Sequence, residues 1–251
     1  MTVPVALVTG ASAGLGIDFA RQLAASGSRV VLVARRKDRL DALASELGNA
    51  RAVALDLAEP GASDRLIADL ASAGEHVDLL VNNAGFGLGG PVATSDGARL
   101  RQMIDLNCGL LTELSRAVLP GMIARGRGGI LNVASTAAFQ AGPGAAVYYA
   151  TKSYVLSFTE ALHEEVAGTG VHVTALCPGP TATEFFEVAG YGGKSGLAKL
   201  AMASAPVVAF GLAAIGRNQA VAIPGAVNRF GAQGHRFLPR SVLRKLAKFV
   251  K

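Results

Sequence analysis

The 251-residue chain has no tryptophan, two cysteines and four histidines, and only 17% of its residues are charged. Cys108 and Cys177 are too few for a disulfide framework, which is typical of proteins in a reducing compartment. The dipeptide His163-Glu164 resembles the start of a zinc-protease helix, but Ala167 stands where the second histidine is needed. The sequence therefore predicts a cytoplasmic protein without a disulfide scaffold or a metal site.

The chain does not begin like a secreted or membrane protein. Met1 runs directly into an apolar strand pattern, without the charged start and cleavage site of a signal peptide. The segment Leu197–Ile215 is apolar, but Lys199, Pro206 and Gly211 interrupt it near the minimum length that spans a bilayer. We therefore expect a buried helix in this segment.

Positive charge is concentrated at the C-terminus. The formal net charge is +6, and the last twelve residues supply +5 of it through Arg240, Arg244, Lys245, Lys248 and Lys251. The rest of the chain is close to neutral, which argues against a nucleic-acid partner.

The same C-terminal segment, 239–251, is a basic amphipathic tail. A helix over this segment would place Leu243, Leu246, Ala247 and Val250 on one face. A docked or frayed terminal helix is the favoured interpretation, and weak contact with an anionic membrane surface is the alternative.

Hydrophobic periodicity indicates alternating strands and helices. The predicted strands are Val3–Thr9, Arg29–Ala34, Arg51–Leu55, Val77–Val81, Gly129–Ala134, Val171–Leu176 and Ala220–Ile223. The predicted helices are Leu15–Ser26, Arg39–Leu47, Ser63–Ala73, Ala98–Arg125, Tyr148–Ala167 and Ala205–Arg217. Continuous apolar strands with long connections predict an α/β fold: a doubly wound, Rossmann-like, parallel seven-stranded sheet with helices on both faces, in a single domain over 1–251.

A glycine-rich turn follows the first strand, in the sequence TGASAGLG at 9–16. Gly10, Gly14 and Gly16 allow a tight turn that brings backbone amides, including those of Ser12 and Leu15, close to a pyrophosphate. The following helix N-terminus stabilises that negative charge. An alternative reading is that these glycines only pack the helix against the strand.

Polar residues also follow the third and fourth strands. Asp56, with Leu57 beside it, is placed to accept a hydrogen bond from an adenine amino group, although an isolated aspartate there is more often a turn former. Asn83, Ala84 and Gly85 end the fourth strand beside the same crevice. Together with the turn, these positions predict a dinucleotide site.

A candidate catalytic group follows the fifth strand. Ser135 ends that strand, Tyr148 comes thirteen residues later, and Lys152 lies four residues beyond Tyr148 on the same helical face. A phenol has a pKa of about 10, and a nearby ammonium favours its ionised form. Tyr149 has Ser153 at the corresponding spacing. Singly, Ser135 as a turn cap and a surface Tyr-Lys pair remain alternatives.

In their order along the chain, these motifs resemble the short-chain dehydrogenase/reductase family, in its compact branch. The resemblance rests on TGASAGLG at 9–16, Asp56, NNAG at 82–85, Asn107, Ser135, the YxxxK of Tyr148 and Lys152, and PGPTAT at 178–183. It implies an oxidoreductase that interconverts a ketone or aldehyde and an alcohol with a nicotinamide cofactor. It also implies a homodimer or homotetramer.

The resemblance further implies a role for each matching residue. Tyr148 would be the general acid/base, and Ser135 would hydrogen-bond the substrate oxygen. Lys152 would lower the tyrosine pKa and hold the nicotinamide ribose, and Asn107 would hold a water of the proton relay. The carboxamide end of the cofactor would face Pro178, Gly179 and Thr183.

The end of the second strand predicts a preference for NADPH over NADH. Ala34 stands where a carboxylate would bind the 2′-hydroxyl of NAD, and Arg35 and Arg36 follow it. Arg35 is the better candidate for a 2′-phosphate, with Ser12 as a second contact. NAD remains an alternative, because Ala13 stands where many NADP-preferring relatives carry a basic residue, and both arginines could simply be solvated.

The sequence is less informative about the substrate than about the cofactor. We expect residues 184–205, which include Phe185, Phe186, Val188 and Tyr191 among glycines, to form a lid that excludes water and to favour an apolar or aromatic substrate. Phe86 and Phe139 line the same pocket or pack in the core. The alternatives are an epimerase or dehydratase of the larger branch, which has a longer C-terminal domain, and a cofactor-sensing regulator, which would lack the catalytic residues.

Overall fold

A computed structural model of the chain describes residues 3–185, 189–190, 201–234 and 240–246. Its strands are β1 (Val5–Thr9), β2 (Arg29–Ala34), β3 (Ala50–Ala54), β4 (Val77–Asn82), β5 (Gly128–Val133), β6 (Val171–Leu176) and β7 (Val221–Ala222). They form one seven-stranded sheet in the order β3-β2-β1-β4-β5-β6-β7. Every neighbouring pair is parallel, which confirms the predicted doubly wound sheet.

The helices connect successive strands across both faces of the sheet. They are α1 (Leu15–Ala25), α2 (Lys37–Leu47), α3 (Ala62–Ser72), α4 (Gly97–Ile104), α5 (Leu111–Ala124), α6 (Ala146–Glu165), α7 (Ser204–Gly216), α8 (Ala226–Gln233) and α9 (Arg240–Leu246). Most ends agree with the predicted ones within two residues. The short helix α8 was not predicted, because eight residues between glycines carry little periodic signal.

The single predicted helix Ala98–Arg125 is wrong. A π-helical turn, Asp105–Leu110, separates α4 from α5. A π-turn inserts one extra residue into an otherwise helical run, and the lone Gly109 within it does not distinguish a π-turn from an uninterrupted α-helix.

The core lies on both faces of the sheet because strands such as β1 and β2 carry successive apolar residues. On one face, Val8 and Leu32 pack with Phe19 of α1 and with Val207 and Val208 of α7. On the opposite face, the buried residues include Leu7, Val31, Leu66, Leu80, Leu114, Ile130 and Leu162, which come from the strands, α3, α5 and α6.

Two of the segments that raised a membrane question are partly described. Helix α7 has buried residues along its length, as expected for 197–215, although residues 197–200 lie outside the described part. Residues 240–246 of the tail form α9, and the rest of 239–251 is also outside it. Across the described ranges, every helix is too short or too polar to cross a bilayer.

Buried amides join the carboxyl ends of β4 and β5 to the helices behind them. Asn82 and Asn132 are register partners on these strands, and Asn82 Nδ2 donates to Asn132 Oδ1 at 2.9 Å. Asn82 Nδ2 also lies 3.1 Å from Ser115 Oγ of α5, and Asn132 Nδ2 donates to Thr159 Oγ1 of α6 at 2.9 Å. These bonds fix the position of α6 relative to the sheet.

We predict that Asn132→Ala lowers the free energy of unfolding by about 2–4 kcal/mol, because it removes two buried hydrogen bonds and leaves a cavity. Chemical denaturation measures the loss. Asn49→Ala is the matched control, since the Asn49 side chain is exposed between α2 and β3, and it should cost less than about 0.5 kcal/mol. Equal losses in the two variants would contradict a role for the buried amides.

Candidate active site

A cavity of about 870 Å³ opens at the carboxyl ends of the strands, where the strand order reverses between β1 and β4. Sixteen of the predicted site residues line it. They are Gly10, Ser12, Gly14, Leu15, Arg35, Asp56, Leu57, Asn83, Ala84, Gly85, Ser135, Tyr148, Lys152, Pro178, Gly179 and Thr183. The remaining two predicted residues, Gly16 and Asn107, are not part of the cavity wall.

The glycine-rich turn bends sharply where β1 ends. Gly10 and Gly14 have left-handed φ angles of 67° and 52°. Gly16 has a packing role, because a Cβ there would lie 2.2 Å from the Gly10 carbonyl oxygen. The packing alternative therefore describes Gly16, whereas Gly10 and Gly14 lie on the cavity wall.

Thr9 and Asn83 connect this turn to the end of β4. The Thr9 hydroxyl accepts the backbone N–H groups of Asn83 and Ala84 at 3.0 and 2.9 Å. In return, Asn83 Nδ2 donates to the carbonyl oxygens of Thr9 and Gly10 at 2.9 and 3.3 Å. The side-chain amide of Asn83 therefore holds the turn in place while the residue lines the cavity.

Tyr148 and Lys152 lie one turn apart on α6, and each exposes only 8% of its surface. Lys152 Nζ donates to the Val133 carbonyl oxygen at 2.8 Å and lies 5.9 Å from the centre of the Tyr148 ring. Ser135 follows β5 and faces the same cavity. The structure thus brings a phenol, an ammonium and a hydroxyl to one wall.

Asn107 lies behind this wall, in the π-helical turn. Its Oδ1 accepts the N–H of Phe86 at 3.1 Å, and its Nδ2 donates to the Phe86 carbonyl at 3.0 Å and to Thr151 Oγ1 at 3.1 Å. A Cβ on Gly85 would lie 2.8 Å from Asn107 Oδ1 and 3.9 Å from Lys152 Nζ. Asn107 therefore fixes the segment after β4 against α6, next to Lys152.

Comparison with known proteins identifies the family to which this arrangement belongs. The family model described as short chain dehydrogenase matches residues 4–190. The chain is a member of the short-chain dehydrogenase/reductase family. It is similar to an NADP-dependent 3-hydroxy acid dehydrogenase of Salmonella typhi, with 41% identity over 187 residues, which are 73% of this chain and 75% of the relative.

Solved structures agree with this assignment. A short-chain dehydrogenase from Sphingobium yanoikuyae in complex with NADPH superposes with a TM-score of 0.83 and 33% identity, over 94% of each chain. The closed form of a serine dehydrogenase complexed with NADP⁺ gives a TM-score of 0.74 and 37% identity, over 82% of this chain and 86% of the other. The present short-chain dehydrogenase therefore shares its fold with these two dehydrogenases over 82–94% of its length.

Two cavity residues of this dehydrogenase also have local structural roles. Ser135 Oγ accepts the N–H of Ala137 at 3.1 Å and so caps a short 3₁₀ turn. Asp56 Oδ1 accepts the N–H of Ala58 at 3.0 Å. The turn-capping alternative is therefore correct for both residues, and it coexists with their position on the cavity wall.

Arg36, rather than Arg35, makes the contacts after β2. Arg36 Nε lies 3.2 Å from Ser12 Oγ, and Arg36 Nη2 donates to the Ser12 carbonyl at 3.0 Å. Arg36 Nη1 reaches Glu184 Oε2 at 3.1 Å, and Arg39 Nη1 reaches Glu184 Oε1 at 2.8 Å. Arg35 is exposed on the cavity wall. Sequence reasoning missed Glu184, because nothing local relates position 184 to α2.

The cavity wall also includes Phe86, Arg99, Tyr149 and Phe185. The ring of Phe185 packs on that of Tyr148 with centroids 5.3 Å apart. The Arg99 guanidinium lies 4.8 Å from the centre of the Phe86 ring. Phe139 is absent from the cavity wall and packs with a buried cluster instead.

Only part of the expected lid, 184–205, can be placed. Phe185 and residues 189–190 belong to the described part, whereas Phe186, Val188 and Tyr191 lie outside it. In the same described ranges, no group of three His, Cys, Asp or Glu side chains is arranged to hold a metal ion.

Burial changes the protonation of the groups around Lys152. Desolvation lowers the pKa of Lys152 to about 8, although the nearby thiols of Cys108 and Cys177 oppose this shift. Desolvation raises the pKa of Cys108 to about 11 and that of Cys177 to about 12. Both thiols therefore remain protonated at neutral pH and serve as packing residues.

We predict that Lys152 makes the stability of the cofactor-free protein depend on pH between about 8 and 10.5. In this window the unfolded chain binds more protons than the native protein, so the free energy of unfolding rises with pH. Relative to Lys152→Met, the wild type should gain up to about 3 kcal/mol over this range. Denaturation of both proteins at several pH values measures this gain. A difference in unfolding free energy that does not change with pH would contradict the lowered pKa of Lys152.

Proposed function

We propose that this short-chain dehydrogenase interconverts a ketone or aldehyde and the corresponding alcohol with NADP(H), and that Tyr148 is its general acid/base. The observation that carries the proposal is the shared cavity. Its wall combines the glycine-rich turn after β1 with the phenol of Tyr148, the hydroxyl of Ser135 and the ammonium of Lys152. A dinucleotide site and a proton-transfer group therefore meet in one space.

The residues of the cavity fit a dinucleotide phosphate. The backbone N–H groups of Ser12, Ala13, Gly14 and Leu15 donate no hydrogen bond within the described part of the chain, and all four residues line the cavity. Such N–H groups before a helix bind phosphate. Arg35 and Arg36 would hold a 2′-phosphate, which favours NADP(H) over NAD(H), and the similarity to NADP-binding relatives supports this preference.

Further cofactor contacts follow from the same wall. Asp56 and Leu57 would contact the adenine, and the Ala84-Gly85 backbone would lie along the dinucleotide. The nicotinamide end would face Pro178, Gly179 and Thr183. The cofactor supplies or accepts the hydride when it is bound.

The protein moves the proton. In the reductive direction, the Tyr148 hydroxyl donates a proton to the substrate oxygen, and the Ser135 hydroxyl stabilises the negative charge that develops there. The positive charge of Lys152 favours the phenolate that remains, and its ammonium would also bind the ribose. Asn107 would support this proton transfer from behind the wall, because its side chain holds Phe86 and Thr151 in place next to Lys152.

We predict that Tyr148→Phe lowers kcat by about two to four orders of magnitude, the usual contribution of a positioned acid/base. Steady-state turnover and equilibrium binding of NADPH measure the two effects separately, and binding should stay nearly unchanged. Tyr149→Phe is the matched control, because the adjacent Tyr149 also lines the cavity and burial raises its pKa. Similar loss of turnover in both variants would contradict the assignment.

One observation favours a substrate with a carboxylate. Arg99 lies on the substrate side of the cavity wall, where Gln102 Oε1 accepts from its Nη1 at 2.9 Å and Phe86 lies under its guanidinium. Among the described residues it forms no ion pair with a carboxylate. A 3-hydroxy acid, the substrate class in the name of the Salmonella relative, would supply such a carboxylate.

Arg99 would therefore bind the substrate carboxylate, while Phe86 and Phe185 would enclose its apolar part. This arrangement retains the apolar pocket expected from the sequence and adds a cation at one end. The proposed substrate is then a hydroxy acid or its keto form, oriented by a charge-assisted hydrogen bond.

We predict that Arg99→Met lowers kcat/KM for a 3-hydroxy acid by about 5- to 10-fold, because Arg99 is exposed and an exposed ion pair contributes only about 1 kcal/mol. For a neutral alcohol of the same length, kcat/KM should change by less than about 3-fold, because no charge is lost. Arg101→Met is the matched control, since Arg101 is exposed on the same helix and pairs with Asp105. An equal effect on the charged and neutral substrates would contradict carboxylate binding.

A further inference from the structure

Glu184 places a carboxylate at the part of the cavity where the second strand ends. It is the residue after the PGPTAT motif at 178–183 and lies on the cavity wall together with Arg35, Arg36 and Ser12. One carboxylate oxygen contacts Arg36 Nη1 at 3.1 Å and the other contacts Arg39 Nη1 at 2.8 Å. A carboxylate is unexpected beside arginines that are proposed to bind a phosphate.

Two other nitrogens of the Arg36 guanidinium contact the glycine-rich turn. Nε and Nη2 contact the hydroxyl and carbonyl oxygens of Ser12, in the glycine-rich turn, so the side chain is anchored beside the dinucleotide site. Nη1 is left to bind an anion, and Glu184 supplies that anion in this structure. Carboxylate and phosphate oxygens are alternative acceptors for the same guanidinium donors.

Arg39 makes the exchange of anions feasible. Because Arg39 contacts the second carboxylate oxygen, Glu184 keeps an ion pair when Arg36 turns to another acceptor. Both pairs are solvent-exposed, with side-chain exposures of 39–45%, so neither is strong. The competition of Glu184 with an incoming phosphate should therefore change the affinity for that phosphate only a few-fold.

We propose that Glu184 is a specificity-determining residue, whose carboxylate competes with the 2′-phosphate of NADP(H) for Arg36 and thereby limits the preference for NADP(H) over NAD(H). The inference rests on the proposed function, in which the 2′-phosphate lies at Arg35 and Arg36. It adds that Glu184 opposes the binding of this phosphate and does not help to form its site.

The competing carboxylate also connects the phosphate site to the catalytic wall. Its chain neighbours are Thr183, against which a Cβ on Gly14 would lie at 2.9 Å, and Phe185, whose ring packs on Tyr148. A change of partner at Glu184 therefore acts on the segment that contacts both the glycine-rich turn and the proposed proton donor.

The experiment measures binding without turnover. Isothermal titration calorimetry on the full chain compares 2′,5′-ADP with 5′-AMP, which differ only in the 2′-phosphate. We expect Glu184→Gln to tighten 2′,5′-ADP by about 2- to 5-fold, because removal of an exposed carboxylate partner changes affinity by up to about 1 kcal/mol. The affinity for 5′-AMP should change by less than about 2-fold.

Glu46→Gln is the matched control. Glu46 also pairs with an arginine, Arg21, at similar exposure, but it is absent from the cavity wall. This variant should leave both affinities unchanged. Thermal unfolding of both variants checks that each retains the native fold, so that a change in affinity reports on the anion site.

The possible results separate the inference from the function on which it rests. Unchanged or weaker binding of 2′,5′-ADP by Glu184→Gln would overturn the competing role of Glu184. A loss of 2′,5′-ADP affinity in Arg35→Ala but not in Arg36→Ala would also overturn it, while leaving NADP(H) recognition intact. Equal affinity of the wild type for the two nucleotides, unaffected by either arginine variant, would overturn the cofactor assignment and this inference with it.

Discussion

The hydrogen bonds between Thr9 and Asn83 are the interaction on which the cavity depends. They join the carboxyl ends of β1 and β4, the two neighbouring strands from which the chain leaves in opposite directions. At the ends of these strands the backbone polar groups are satisfied by the Thr9 and Asn83 side chains. Asn83 Nδ2 also donates to the Gly10 carbonyl oxygen. The glycine-rich turn and the segment after β4 are therefore held together as one rigid frame.

The rest of the site is attached to this frame by other carboxamides. Asn132 links β5 to Thr159 of α6, and Asn107 links Phe86 to Thr151 of the same helix. A carboxamide has both donors and an acceptor, so one buried side chain can satisfy groups on two elements. As a result, α6 is held at two positions, Thr151 and Thr159. The phenol of Tyr148 and the ammonium of Lys152 therefore face the cavity from a helix whose position does not depend on a loop.

Sequence reasoning recovers what local pattern determines. The parallel sheet follows from apolar runs, and the convergence of Tyr148 with Lys152 follows from helical spacing. It does not recover contacts between residues far apart in the chain. Glu184 meets α2 across about 145 positions, and the anchoring of Arg36 rather than Arg35 depends on where the Ser12 carbonyl points. The π-helical turn is missed because the lone Gly109 inside it is also tolerated in an uninterrupted α-helix.

The extra residue of the π-helical turn also affects how α4 is attached to the rest of the fold. One residue of an α-helix corresponds to a rotation of about 100°, so Asp105–Leu110 reorients α4 relative to α5. Helix α5 packs against β4 and β5, whereas α4, which carries Arg99, contacts α6. Helix α4, which carries Arg99, is therefore positioned by the same helix that carries Tyr148 and Lys152. A displacement of α6 would move Arg99 and the proposed proton donor together.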